Sequence, residues 1–134
     1  MITVETNIKT TIQKVWEYFT IPMHIKNWYN ASADWHAPYA ENNLEINGKF
    51  TTTMAAKDGS FSFDFAGAYT NIVVHKLIEY TLNDGRKVSI IFAKDENSTN
   101  IIETFEPETE NSIELQQSGW QAILDNFKNY VENN

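Results

Sequence analysis

Three histidines, a scatter of carboxylates and a high density of aromatic rings are the side chains in this sequence that could do chemistry. His24, His36 and His75 stand apart, and no pair has the short helical spacing that presents two imidazoles to one metal ion. No metal site is expected. Asp34 and His36 suggest an acid–base pair, but they lie close together in a polar stretch with no Ser or other nucleophile marked by a recognised motif, so a solvated loop face is the simpler reading. Glu103 alternates with Ile102 and Thr104 and could face either side of a strand. Turned inward, it would need a partner or a raised pKa, which is how a catalytic acid arises. The absence of cysteine excludes disulfides, thiolate catalysis and cysteine-held zinc or iron–sulfur centres. No catalytic residue is assigned, and no cofactor is expected.

The rings carry the stronger signal. Four Trp, six Tyr and eight Phe supply ample large apolar surface for one core. Trp28, Trp35, Met54, Phe63, Phe65, Tyr69, Tyr80, Phe92, Trp120 and Phe127 are the residues expected around a concave face, with His36, beside Trp35, on the rim of a pocket. Any one of these is ordinarily a core residue; as a set they are the candidate ligand-binding residues. Asp64 lies between Phe63 and Phe65, so if those rings face inward the period of a strand sends Asp64 to solvent. Gly119 falls inside a helical pattern, where glycine costs about 1 kcal/mol relative to alanine. Ordinary helix-on-sheet packing, or room for a ligand, would each give it a reason.

The elements that must position these residues are legible in outline. Residues 2–9 alternate Ile2, Val4, Thr6 and Ile8 against Thr3, Glu5, Asn7 and Lys9, a half-buried strand. Thr10 and Gln13 have capping-box spacing, and Ile12, Val15, Trp16 and Phe19 follow on one helical face. Pro22 suits the first turn of a second short helix over 22–28. Residues 30–43, small, polar and aromatic with Pro38, read as an ordered loop. Asn47-Gly48, Asp58-Gly59 and Asp84-Gly85 mark turns of an antiparallel meander. Strands are expected near 43–46, 49–56, 60–66, 68–74, 77–82, 87–93 and 99–106, with a bulge or bend at Gly67. Asn111 with Glu114 offers a helix start, and Ile113, Gln116, Trp120, Ile123, Phe127 and Tyr130 recur at helical steps through a long C-terminal helix.

Charge and length bound the function. At 134 residues one domain over 1–134 is expected. The net charge is −8 and Arg86 is the only arginine, so the chain lacks the basic density that binds nucleic acid or an anionic membrane surface. No apolar run reaches bilayer length and the N-terminal residues lack a signal-peptide layout, so membrane insertion is not expected and a cytoplasmic location is the default.

The order strand, two short helices, meander and long final helix is that of the α+β helix-grip fold, a curved antiparallel sheet wrapped around a C-terminal helix. Four stretches sharpen this: VWEYFTIPMHIKNW (15–28), LEINGKF (44–50), KDGSFSFDFAGAY (57–69) and GWQAILDNFKNYVE (119–132). They resemble segments of the family named for the activator of the heat-shock protein 90 ATPase, in the stand-alone form that begins at the first strand of the helix-grip unit. One departure is Asn47, where family members often carry a second glycine; asparagine also tolerates left-handed φ, so the turn should survive. The resemblance implies the fold and a cavity between sheet and helix, and leaves the role open. The leading expectation is binding of a small hydrophobic or aromatic molecule there. A cyclase- or hydrolase-like enzyme using the same cavity, and a co-chaperone-like interaction module, are the alternatives; dimerisation through a sheet edge is open.

Overall fold

The computed structural model describes residues 1–134. The chain runs β1 (Ile2–Ile8), α1 (Ile12–Thr20), α2 (Pro22–Trp28), β2 (Trp35–Asn42), β3 (Lys49–Ala56), β4 (Ser62–Val73), β5 (Leu77–Leu82), β6 (Lys87–Asp95), β7 (Ser98–Phe105) and α3 (Ile113–Glu132). The strands form one seven-stranded antiparallel sheet in the order β1-β7-β6-β5-β4-β3-β2, which leaves β1 and β2 as its edges. This is the expected α+β helix-grip architecture, with α3 closing the concave side.

Three expectations about the meander are corrected. Residues 35–42, expected within a loop, form edge strand β2. Pro38 is tolerated there because an edge strand needs only one row of donors, and the register shift between His36 and Tyr39 accommodates it. Residues 43–46, expected as a strand, form the turn into β3 instead: the Glu45 N–H donates to the Asn43 carbonyl and the Gly48 N–H to the Glu45 carbonyl. Asn47 takes the left-handed φ of 70° in this turn, while Gly48 is required because a Cβ would come within 2.1 Å of the Asn43 carbonyl oxygen. Finally, β4 is one continuous strand through Gly67, and the irregularity falls between Tyr69 and Asn71.

Helix α2 begins at Pro22 as expected, while α1 and α3 begin one residue later than their capping patterns predict. Thr11 caps α1 by accepting the Lys14 N–H, and Ser112 caps α3 by accepting the Leu115 N–H. Each satisfies a backbone donor that the first helical turn leaves free.

Helix α3 is clipped along edge strand β1. The side-chain amides of Gln117 and Gln121 donate to the Thr3 and Glu5 carbonyls at 3.1 and 3.0 Å, Lys128 donates to the Asn7 carbonyl at 2.6 Å, and Glu132 accepts the Lys9 N–H at 2.9 Å. Thr3, Glu5 and Asn7 alternate along the strand, so one row of edge carbonyls is satisfied by a stripe of polar helix side chains. That stripe covers an otherwise unpaired edge and fixes the helix over one side of the sheet.

Beneath the C-terminal half of α3 the core is filled. Leu124, Phe127 and Val131 are at most 1% exposed. Phe127 packs edge-on against Trp28 and Phe19 with centroids 4.6 and 5.1 Å away, and Phe19 meets Phe92 at 5.3 Å.

Candidate functional site

Beneath the N-terminal half of α3 the helix meets the sheet along β1 and β7, where Trp120 stacks on Phe105, and stands clear of the strands beyond. A cavity of about 530 Å³ lies between them, within the range of small-molecule sites. Its walls follow from strand register, because paired residues share a face. Tyr69 pairs with Tyr80, Thr52 with Phe65, Met54 with Phe63 and Ile90 with Glu103, and all eight line the cavity. Asp64, one residue out of phase, points to the outer face and accepts from the Thr53 hydroxyl at 2.7 Å. From the helix come Leu115, Gln116, Gly119, Trp120 and Ile123. A Cβ built on Gly119 would meet nothing within 4 Å, so this glycine borders empty space instead of admitting a closely packed strand.

The tail of α2 completes the wall. The Asn126 side-chain amide, on α3, donates to the Trp28 carbonyl at 2.8 Å and to the Asn30 side-chain oxygen at 3.0 Å, holding the turn that carries Tyr29 into the cavity. The rings interlock: Phe65 lies 5.7 Å from Tyr29, 5.8 Å from Trp120 and 6.2 Å from Tyr80. Trp120 stacks on Phe105 at 3.8 Å and an interplanar angle of 11°.

Glu103 is the chemically distinctive group. The inward face of β7 reads Thr99, Ile101, Glu103 and Phe105, all buried, so the carboxyl occupies a core position. Its paired neighbours are Val4 on β1 and Ile90 on β6, which offer no donor, and its carboxyl receives no hydrogen bond or ion pair from the protein. Burial pushes its pKa up to about 8. Tyr29 and Tyr80 lie close enough to Glu103 that its charge adds to the burial that raises both phenols well above their ordinary value. The Tyr69 hydroxyl donates to Asn42 Oδ1, and burial pushes that phenol up as well.

Two further polar side chains of the wall are engaged elsewhere. The Gln116 amide nitrogen donates to the Glu108 and Asn111 carbonyls and its oxygen accepts the Glu108 N–H, so it ties the segment before α3 to the helix. Arg86 pairs with Asp84 at 2.8 Å.

Of the residues singled out in the sequence, Trp28, Trp35, Met54, Phe63, Phe65, Tyr69, Tyr80 and Trp120 line the cavity. Phe92 and Phe127 lie in the filled core, and His36 is exposed on β2 away from the lining. Phe92 faces inward as the alternation of β6 requires, but α1 covers it, with Trp16 at 5.0 Å. His24 is held between Tyr18, stacked at 3.9 Å, and the Tyr130 hydroxyl, at 2.7 Å from Nδ1, while His75 meets the edge of Trp16 at 5.8 Å. Sequence reasoning missed Tyr29, Phe50 and Asn42. Phe50 was open to detection, since it shares phase with Thr52 and Met54 in a predicted strand; Tyr29 sits just beyond α2, where no period applies.

Residues 9–132 match the family model described as Activator of Hsp90 ATPase homolog 1-like protein. An AHSA1-like protein from Aeromonas hydrophila, solved in solution, is 40% identical, with a TM-score of 0.90 over 98% of this chain and 93% of that one. A protein of Cytophaga hutchinsonii is 57% identical, with a TM-score of 0.85 over 98% of this chain and 92% of that one. A protein of Nitrosomonas europaea at 15% identity, TM-score 0.83, covering 98% of this chain and 94% of that one, shares the fold. No curated protein matches the chain.

Proposed function

The chain belongs to the Activator of Hsp90 ATPase homolog 1-like family, and from that premise we propose that it binds a small hydrophobic or aromatic molecule in the cavity between the sheet and α3. The observation that carries this is the contrast inside one helix: Leu124, Phe127 and Val131 fill the space beneath them, while Gly119 borders about 530 Å³ of open volume walled by aromatic rings. A core with no ligand to hold is filled to crystal-like density, and an open volume of this size forfeits dispersion contacts along its whole lining. A bound apolar molecule restores them.

A second reading has its own support. Glu103 is a buried, unpaired carboxyl whose raised pKa suits a general acid near neutral pH, so the same chamber could position a flexible substrate for a cyclase- or hydrolase-type proton transfer. A co-chaperone-like interaction would use the outer surface and leave the cavity without a role.

Native mass spectrometry of the protein as purified from cells tests the binding reading. A reproducible excess mass that is released on denaturation is the expected result. Absence of any excess mass, together with no thermal shift against a panel of lipids and aromatic compounds, would contradict it.

A further inference from the structure

We propose that the cavity takes an aromatic or alicyclic amine, whose ammonium group pairs with Glu103 while its apolar body lies among the rings; this rests on the cavity being a ligand site. The argument begins with what the protein does not supply. Glu103 sits between Val4 and Ile90 on the inward face of the sheet, with no donor from either neighbouring strand. The face of α3 that lines the chamber contributes Gln116, Gly119, Trp120 and Ile123, none of which titrates, and the Gln116 amide is already bonded to backbone. No lysine lines the cavity; its one arginine, Arg86, pairs through Nε with Asp84 and reaches Tyr80 by charge, while neither it nor any other cation pairs with Glu103. The other titratable groups of the lining are Tyr29, Tyr69, Tyr80, Glu41 and Glu108, so every one besides Arg86 is acidic or neutral.

An ionised carboxylate at this position has no counter-ion in the empty protein, and the partner that would hold it ionised is a cation with hydrogen-bond donors. The surroundings suit the same partner. Tyr29, Phe65, Tyr80 and Trp120 present π systems to the chamber, and aromatic faces attract ammonium groups most strongly when solvent is excluded. The hydroxyls of Tyr29 and Tyr80 form no hydrogen bond within the protein and can accept from a second ammonium hydrogen. The net charge of −8 raises the local concentration of cations around the molecule.

The pairing has a proton signature. An unliganded Glu103 with its pKa pushed up to about 8 is largely protonated at pH 7. Pairing with an ammonium group holds it ionised, so binding at pH 7 releases close to one proton. The amine should therefore bind more tightly as pH rises toward 8.

Isothermal titration calorimetry with tryptamine, against its uncharged counterpart tryptophol, in two buffers of different ionisation enthalpy, tests this. The expected result is at least tenfold tighter binding of tryptamine at pH 7, release of close to one proton, and loss of both the preference and the release in Glu103→Gln, whose melting temperature certifies the fold. Equal binding of the two compounds, or a preference that survives Glu103→Gln, would overturn the amine assignment and leave the cavity reading standing. Failure of both compounds to bind would overturn the amine assignment, and the cavity reading with it when native mass spectrometry also shows no released mass.

Discussion

The two halves of α3 cover the same sheet and do opposite things. From Leu124 onward the helix drives large side chains into a closed core in which Phe127 touches Trp28 and Phe19, and nothing remains to be filled. One turn earlier, Gly119 contributes no side chain, Trp120 turns aside to stack on Phe105, and the sheet beneath carries a carboxyl where a hydrocarbon would pack. The helix bridges this gap because it does not depend on packing there. Over the gap it hangs on β1 through Gln117 and Gln121, and Asn126 and Lys128 continue these polar clips into the filled half, to the turn after α2 and to β1. The filled half supplies stability, and the clipped half can keep an opening.

That contrast can be broken at its strong end. Phe127→Ala should cost about 3–5 kcal/mol, because its neighbours are fully packed rings that cannot collapse into the vacancy. Chemical denaturation measures this as a lower midpoint with an unchanged slope; a loss under 1 kcal/mol would mean that this half is not closed.

The next largest effect is electrostatic. Glu103 ionises near the usual 4.5 in the unfolded chain and near 8 in the folded one. The folded state therefore holds a proton that the unfolded state has given up between those values. The stability linked to this group is fully present below about pH 4.5 and is lost as pH rises through 8, by up to about 5 kcal/mol. Glu103→Gln should remove that slope and leave the variant more stable than the parent at pH 8. Parallel pH profiles of the two proteins read the difference directly, and identical profiles would place the carboxyl in water.

At Gly119 the expected effect is smaller and of opposite sign. Gly119→Ala should stabilise by up to about 1 kcal/mol, since helix propensity improves and the added methyl meets nothing within 4 Å. Thermal melting checks it; a loss of stability would mean that the helix is closer to the sheet than the structure has it. Smallest of all, Leu115→Ala, at a position 59% exposed, should change stability by under about 0.5 kcal/mol while enlarging the mouth of the cavity.

Much of this contrast could be read from the residues themselves. The period of α3 gave its apolar stripe, and the glycine within it marked the place where packing fails. Alternation set Asp64 outward correctly, yet could not orient Glu103, because the residues around it offer a polar and an apolar option on both sides. Only the pairing of Ile90 with Glu103 and of Val4 with Glu103 decides the matter, and pairing between strands so distant in sequence leaves no local trace. Phe92 and Phe127 share the inward-facing pattern of Phe65 and Trp120. What separates the two pairs is the position of α1 and α2, which close one end of the sheet and not the other. Strand β2 was hidden because its sequence, with Pro38 and several polar residues, has the composition of a loop and needs only β3 beside it.

The central claim, an open aromatic chamber beside a closed core under one helix, is tested most directly by titrating isotope-labelled protein with indole and following its NMR spectrum. The account predicts that the ring N–H of Trp120 and the amides of Gly119, Ile123 and Tyr80 shift saturably, while those of Leu124, Val131 and Trp16 remain fixed. Shifts spread evenly over both halves, or confined to the outer face of the sheet, would contradict it.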